Sequence, residues 1–325
     1  MTETDVQRTG GADGGARPRV VVGVDGSAGS RAALVHALLT AARTGAEVEV
    51  VAAYQVAATW WAGPELAGVL PTEEVADATT QAIGTFVQEV RNDLAVIGAQ
   101  GAADVPVQLT VGAGPAAQLL VRRAAGAAVL VVGNRGRGAV RSALLGSVAL
   151  HCVTHAPCRV VVVHRAPADQ ARQHTVVVGV DGSAPSRAAL AVAIEEAARL
   201  GADVEAVATF TLSDHWTDGL SRSLPTVAEI TADVQSRLDG AVADVLRGAD
   251  HPGGTAPTVS TVVVEGAPSD VLVRRAADAE LLVVGSRGRG QVRGLLLGSV
   301  GLHCAMHGPC PVLVVRPVAE VAAAG

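Results

Sequence analysis

An internal duplication restricts the fold of this chain more than any other feature. Residues 20–34 read VVVGVDGSAGSRAAL and residues 176–190 read VVVGVDGSAPSRAAL, differing at one position. Each copy opens a stretch of similar order, so the chain builds one architecture twice. In each half an apolar β-type run leads into Asp-Gly-Ser, where Gly26 or Gly182 turns the chain and Ser27/Ser30 or Ser183/Ser186 can cap a helix. Apolar residues at helical spacing follow over 30–44 and 186–200, and the helices stop at Gly45 and Gly201. Further strands are expected at 47–54, 107–111, 129–132 and 159–163, with copies at 203–210, 259–264, 281–284 and 311–315. Between them lie long helices over 72–97 and 226–246, shorter ones ending at 125 and 277, and helices starting at Ser147 and Ser299. The turn before the third helix reads Gly266-Ala267-Pro268 in the second half and Gly112-Ala113-Gly114-Pro115 in the first, one residue longer.

Strands that alternate with helices, several of them continuously apolar, call for α/β domains whose parallel sheets are covered on both faces. Two five-stranded domains are expected, at 19–165 and 175–317. A Gly-rich polar tail (1–18), a short linker (166–174) and a C-terminal tail (318–325) flank them. Residues around Trp60, Trp61 and Trp216 read as loops leading into the long helices.

Composition narrows the partners. Among 325 residues the formal net charge is -6, which provides no basic footprint for nucleic acid or an anionic membrane. The sequence contains no uninterrupted apolar run of membrane-spanning length and no apolar leader at its start. A cytoplasmic protein is the expectation. All 25 basic residues are arginine, so a Walker-type phosphate loop with its lysine is excluded. Any phosphate must be held by backbone amides, hydroxyls and guanidinium groups.

Such a site is written twice. Gly133-Asn134-Arg135-Gly136, nine residues, then Gly146-Ser147 recurs as Gly285-Ser286-Arg287-Gly288, nine residues, Gly298-Ser299. Both loops follow apolar strands. Their glycines let amides approach an anion with no Cβ in the way. Ser147 and Ser299 open helices whose unpaired N–H groups and positive dipole end point to the same place. Arg135, Arg137 and Arg141, with Arg287, Arg289 and Arg293 in the second copy, can supply charge. In an open parallel sheet, ligands bind beyond the carboxyl ends of strands where the strand order reverses. Gly23-Val24-Asp25 and Gly179-Val180-Asp181 end the first strand of each half and face the same ligand if first and fourth strands are neighbours. Asp25 and Asp181 either accept hydrogen bonds from a ribose or base, or only shape the Asp-Gly-Ser turn.

The whole chain resembles a tandem universal stress protein of the actinobacterial type, each half being one family domain. Both loops match the G-2x-G-9x-G-(S/T) pattern of the ATP-binding subgroup. The resemblance implies two Rossmann-like domains, of the adenine nucleotide alpha hydrolase type, each binding ATP with Mg2+. It assigns phosphate and ribose contacts to Val132, Gly133, Arg135, Gly136, Gly146, Ser147 and Val148, and to Val284, Gly285, Arg287, Gly288, Gly298, Ser299 and Val300. Gly23, Val24 and Asp25 match contacts to adenosine. The adenine-facing position falls near Ala53 and Thr209, where the halves differ and both depart from the family's larger aliphatic residue. In this family the last strands, here 159–163 and 311–315, often pair across domains or subunits. Pseudo-twofold packing of the halves, homodimerisation and an unknown protein partner are therefore expected.

His151-Cys152-x2-His155-x2-Cys158 recurs as His303-Cys304-x2-His307-x2-Cys310, a spacing that metal sites also use. The family commonly ends its last helix with a similar His-x-Pro-Cys turn, so no metal is expected. Neither a nucleophile with a fixed base nor paired carboxylates beside the glycine loop are evident. The leading function is an ATP-binding stress-response regulator. The alternatives are a slow ATPase or self-phosphorylating protein, a binder of cyclic AMP or another adenosine compound, and a scaffold whose loops bind nothing.

Overall fold

The computed structural model describes residues 17–54, 72–136, 145–164, 173–212, 226–248, 257–288 and 297–317. The first half runs β1 (Arg19–Gly23), α1 (Ala28–Thr44), β2 (Glu47–Tyr54), α2 (Thr72–Val96), α3 (Gln100–Ala103), β3 (Val107–Ala113), α4 (Ala116–Arg123), β4 (Val129–Gly133), α5 (Ser147–His155) and β5 (Arg159–Val163). The second half follows the same order, with no counterpart of α3 among the described residues: β6 (Gln173–Gly179), α6 (Ala184–Leu200), β7 (Asp203–Phe210), α7 (Val227–Gly248), β8 (Val259–Glu265), α8 (Pro268–Arg275), β9 (Ala279–Gly285), α9 (Ser299–His307) and β10 (Val312–Val315).

The ten strands form one sheet in the order β3-β2-β1-β4-β5-β10-β9-β6-β7-β8. Every pairing is parallel except the central one, where β5 and β10 run antiparallel with Val161 opposite Leu313. The two last strands thus close each other's edges, leaving no unpaired row of amides there. Arg316, just past β10, adds a cross-half clasp. Its Nη2 donates to the Val153 carbonyl at 2.7 Å and also to that of Thr154, at the carboxyl end of α5.

Alternate strand residues face two apolar layers, each continuous through both halves. Val20, Val22, Val161, Val176, Val178 and Leu313 belong to the layer under α1, α2, α6 and α7. Val21, Val132, Val160, Val177, Leu282 and Val314 belong to the layer under α4, α5, α8 and α9. Among the described residues one carboxylate is buried inside the sheet. Glu49 is 1% exposed and accepts from Arg19 at 2.6 Å, Arg123 at 2.5 Å and the Thr110 hydroxyl at 2.8 Å. Burial without those donors would be prohibitive.

Some boundaries differ from expectation for local reasons. α1 and α6 begin two residues before 30 and 186, because Ser27 and Ser183 are the caps, accepting from the Ser30 and Ser186 amides. α3 was not foreseen; four residues are too short for a periodic signal. β6 starts at Gln173, ahead of the expected 176, with a register shift between Gln173 and Val176.

The two halves also keep equal length before the third helix, correcting the extra residue expected in the first. Gly114 and Gly266 occupy the same place. Each donates its amide to the last residue of the second strand, Tyr54 or Phe210, at 2.9 Å, and each has a positive φ, 107° and 144°. Pro115 is the N-cap of α4, whereas in α8 Ala267 is the cap and Pro268 follows. The proline has moved by one position; nothing was inserted.

Candidate functional site

β1 pairs with β2 on one side and β4 on the other, so the strand order reverses between β1 and β4. β6 and β9 are neighbours in the same way. The condition set by the sequence is met: the loops after first and fourth strands meet at one end of each half-sheet.

Val24 donates its amide to Val51 at 3.0 Å, and Val180 to Val207 at 2.9 Å, which carries each chain off its strand in fixed register. Asp25 Oδ1 then accepts from the Ser27 amide at 2.9 Å, and Asp181 Oδ1 from Ser183 at 2.9 Å. One oxygen of each aspartate therefore shapes the turn, the simpler of the two expected roles. The other oxygen faces the glycine loop. A Cβ built on Gly136 would stand 2.5 Å from Asp25 Oδ2, and one on Gly288 2.6 Å from Asp181 Oδ2.

Gly133 is as tightly enclosed. Its Cβ would stand 2.6 Å from the backbone carbon and oxygen of Gly29, at the start of α1, and a Cβ on Gly29 would overlap the Arg135 carbonyl. The first two motif glycines are thus needed by the protein's own packing, a requirement the sequence reading assigned to the ligand alone. Position 29 is also the one difference between the duplicated 15-residue blocks. Pro185 stands there in the second half, and a Cβ on Gly285 would stand 3.0 Å from its backbone carbon and oxygen, a less severe but still tight contact. By contrast, a Cβ on Gly146 or Gly298 would make only ordinary contacts, 3.4 and 3.5 Å. At the third motif glycine the protein leaves room.

Backbone bonds pin the loop at both ends. Asn134 donates to Val163 at 2.9 Å and Gly146 donates back to Asn134 at 2.8 Å; in the second half Ser286 donates to Val315 and Gly298 to Ser286, both at 2.7 Å. Gly146 and Gly298 are the N-caps of α5 and α9, neither with a side-chain capping bond. The Leu150 and Leu302 amides close the first turns on Gly146 and Gly298 at 3.0 Å. The three amides before each of these, starting at Ser147 and Ser299, have no carbonyl partner within the helix. Arg135 adds a second unmet donor: its Nε is buried and has no hydrogen-bond partner among the described residues. Amides at a helix start and a buried guanidinium nitrogen are the donor set an anion requires.

In the second half these groups line a cavity of about 460 Å3. Gly179, Val180, Asp181, Thr209, Val284, Gly285, Arg287, Gly288, Gly298, Ser299 and Val300, every expected second-half residue within the described chain, contribute to its wall. Sequence reasoning missed Phe210, Leu272 and the α7 residues Val234, Arg237 and Leu238. Val234 and Leu238 carried a usable signal, an apolar i,i+4 pair on one helix face; Arg237, between them and ion-paired to Asp233 at 2.7 Å, carried none. In the first half Gly23, Val24, Asp25, Val132, Gly133, Arg135, Gly136, Gly146, Ser147 and Val148 occupy the equivalent places. Arg137, Arg141, Arg289, Arg293 and the three tryptophans lie outside the described residues.

The base-facing positions differ between halves in more than one residue. Ala53 pairs with Gly112 on β3, whereas Thr209 pairs with Val264 on β8. A Cβ on Gly112 would stand 2.9 Å from Leu119 Cδ2, so Leu119 fills space that Val264 occupies in the copy.

The repeated His/Cys motif does not assemble as a four-ligand set. Cys152 and Cys304 are fully buried in the sheet layer under α5 and α9, and burial pushes both thiols up to about 12. The histidines lie on the open side of the same helices. No group of three or more candidate metal ligands converges among the described residues, nor is any helix among them long and apolar enough to cross a membrane.

The Universal stress protein family model matches residues 17–164 and again 173–316. A universal stress protein of Mycobacterium tuberculosis strain H37Rv is 35% identical over 306 residues, covering 91% of this chain and 96% of its own. One from Mycolicibacterium smegmatis is 32% identical over 302 residues, 92% and 97% of the two chains. The crystal structure of a universal stress protein from Archaeoglobus fulgidus superposes with a TM-score of 0.63 at 17% identity, over 92% of this chain and 98% of that one, which is a likeness of fold. With two family matches spanning most of its length, laid on two copies of the same sheet and loop, this chain belongs to the universal stress protein family.

Proposed function

We propose that each half, residues 19–165 and 175–317, binds one adenine nucleotide, ATP with Mg2+, and that the chain is a nucleotide-dependent regulator of a stress response rather than a dedicated enzyme. The supporting observation is the second-half cavity of about 460 Å3, whose wall collects the expected glycine-loop, first-strand and helix-start residues. That volume falls in the range of small-ligand sites.

The phosphates belong at the start of α5 or α9. Three helix amides, the Ser147 or Ser299 hydroxyl, and Arg135 or Arg287 donate there, and none needs to lose a proton. Asp25 or Asp181, an acceptor at neutral pH, suits a ribose hydroxyl. When bound, Mg2+ would supply charge that neutralises the phosphates, with the Ser147 or Ser299 hydroxyl the nearest chain oxygen to help hold it. The base lies toward Ala53 or Thr209, and the different surroundings of the two positions predict unequal affinities. Occupancy then biases an arrangement that a protein partner reads.

The deciding experiment is to denature freshly purified full-length protein, identify the nucleotide released, and titrate stripped protein with ATP in competition with cyclic AMP. Adenine nucleotide in the released fraction and ATP binding at two sites are expected. A protein that releases none and binds neither nucleotide refutes the proposal; preferential binding of cyclic AMP replaces the ligand but keeps the site.

A further inference from the structure

A second cavity, of about 990 Å3, lies where the two halves meet and shares no wall residue with the cavity of about 460 Å3. Val161 and Leu313, paired across the β5–β10 seam, line it. So does one flank of α1, from Ala28 through Ala32, Val35 and Leu39 to Arg43 and Thr44. These positions recur at three- and four-residue steps, so a single helix face borders the space from residue 28 to 44, roughly 24 Å at 1.5 Å per residue. Leu200 of α6, Leu281 of β9 and Pro311 lie in the part of the wall that the second half contributes.

The apolar flank is not a by-product of the duplication. Val35 and Leu39 are partly buried and lie beside the face that α1 buries through Leu34 and Leu38. In α6 the equivalent positions are Ala191 and Glu195, and Glu195 is ion-paired to Arg159 at 3.3 Å. Charge in the cavity also runs against that of the chain. Four arginines and two glutamates line it, a balance of +2, whereas the formal charge of the whole is -6. Both glutamates are engaged, Glu196 by Arg199 at 2.6 Å and Glu280 by His174 at 3.5 Å. Arg31 is paired with Asp93. Arg43, in the last turn of α1, is the one lining arginine with neither an ion pair nor a hydrogen bond among the described residues.

We propose that this cavity binds a long-chain carboxylate, its hydrocarbon lying along Ala32, Val35 and Leu39 and its carboxylate on Arg43, independently of the nucleotide sites. A concave, mainly apolar space between two domains, with a few polar groups at fixed places, is the usual form of a small-molecule site. Its length along α1 suits an extended chain, and burial of that chain supplies most of the affinity. The planar guanidinium, free of a protein carboxylate, selects an anionic head over a neutral one.

The test titrates full-length protein, stripped of lipid and nucleotide, with decanoate, laurate and myristate below their micelle concentrations, by calorimetry with and without saturating ATP. One equivalent per chain is expected in both conditions, with affinity rising up to roughly fourfold for each added methylene. Arg43→Gln should weaken laurate by roughly tenfold and leave lauryl alcohol, which has no charge, unchanged. Leu39→Glu should abolish binding of both while keeping the circular dichroism of the parent, since Glu195 already stands at the equivalent place in α6. Ile97→Glu, at an exposed apolar residue outside the cavity, should bind as the parent does. Affinity that is independent of chain length, or that survives Leu39→Glu, overturns the proposal, as does displacement by ATP, which would put the laurate in the nucleotide cavity. Absence of binding overturns it too; if sedimentation then shows a dimer that Leu39→Glu dissociates, the occupant is a second copy of the chain.

Discussion

Gly133→Ala separates two reasons for a glycine at the first motif position. The added methyl would stand 2.6 Å from the Gly29 carbonyl carbon and oxygen. Both atoms are backbone of Gly29 in the first turn of α1, and Gly133 itself is fixed at the end of β4, so neither side can rotate away. Overpacking of this kind costs about 1–3 kcal/mol. For a domain of this size each kcal/mol lowers the melting temperature by roughly 2–4 °C, and a fall of roughly 2–12 °C in nucleotide-free protein is expected. Gly285→Ala provides the internal control. Its methyl would meet Pro185 at 3.0 Å, close enough to require a small shift, so the fall should be smaller. Differential scanning calorimetry of stripped protein gives the size of the effect, and hydrogen exchange locates it at the β4 end and the first turn of α1. If the glycine serves only a phosphate, Gly133→Ala loses nucleotide but leaves the free protein unchanged, or slightly firmer through a less flexible unfolded chain. That outcome, or equal losses in both variants, would refute the packing account.

Glu49→Ala should lower the urea midpoint by an amount equivalent to about 2–4 kcal/mol, moderated because Arg19 and Arg123 are partly exposed and can rehydrate. Arg316→Ala should speed amide exchange at the last turn of α5 and along β5 and β10, since it removes donors from the Val153 and Thr154 carbonyls; the cost should be about 1–2 kcal/mol. Alkaline pH should destabilise the fold through the buried thiols. Above about 9 the unfolded chain releases the Cys152 and Cys304 protons, while the folded chain holds them to about 12. The unfolded state therefore gains progressively between those values. Cys152→Ala/Cys304→Ala protein should show a flatter pH dependence of melting over that interval.

Much of the architecture was legible in order along the chain. The duplicated β-run, the Ser27 and Ser183 caps and the stops at Gly45 and Gly201 are local signals, set by backbone conformation and by apolar period. The glycine loops were legible for the same reason, since their spacing names both ends of a turn between strand and helix. What remained hidden involves residues far apart in sequence. Gly133 and Gly29 are separated by more than one hundred residues, and only the β1–β4 pairing brings them to contact distance. The equal length of the two halves before α4 and α8 was hidden differently: proline drew attention to itself, but the structural equivalence belongs to Gly114 and Gly266.

The sequence by itself determined two α/β units, a lysine-free glycine loop in each, and a family resemblance confirmed by matches over both halves. It did so because periodicity, capping and turn chemistry act over a few residues and repeat when the residues repeat. Only the tertiary structure decided that the units share one ten-stranded sheet through an antiparallel β5–β10 seam, that Asp25 and Asp181 spend one oxygen on their own turn, and that the motif glycines accommodate other backbone and carboxylate groups as well as leaving room at the helix start. Those outcomes depend on which strands become neighbours and on distances of a few tenths of an ångström, which the pattern of residue types does not encode.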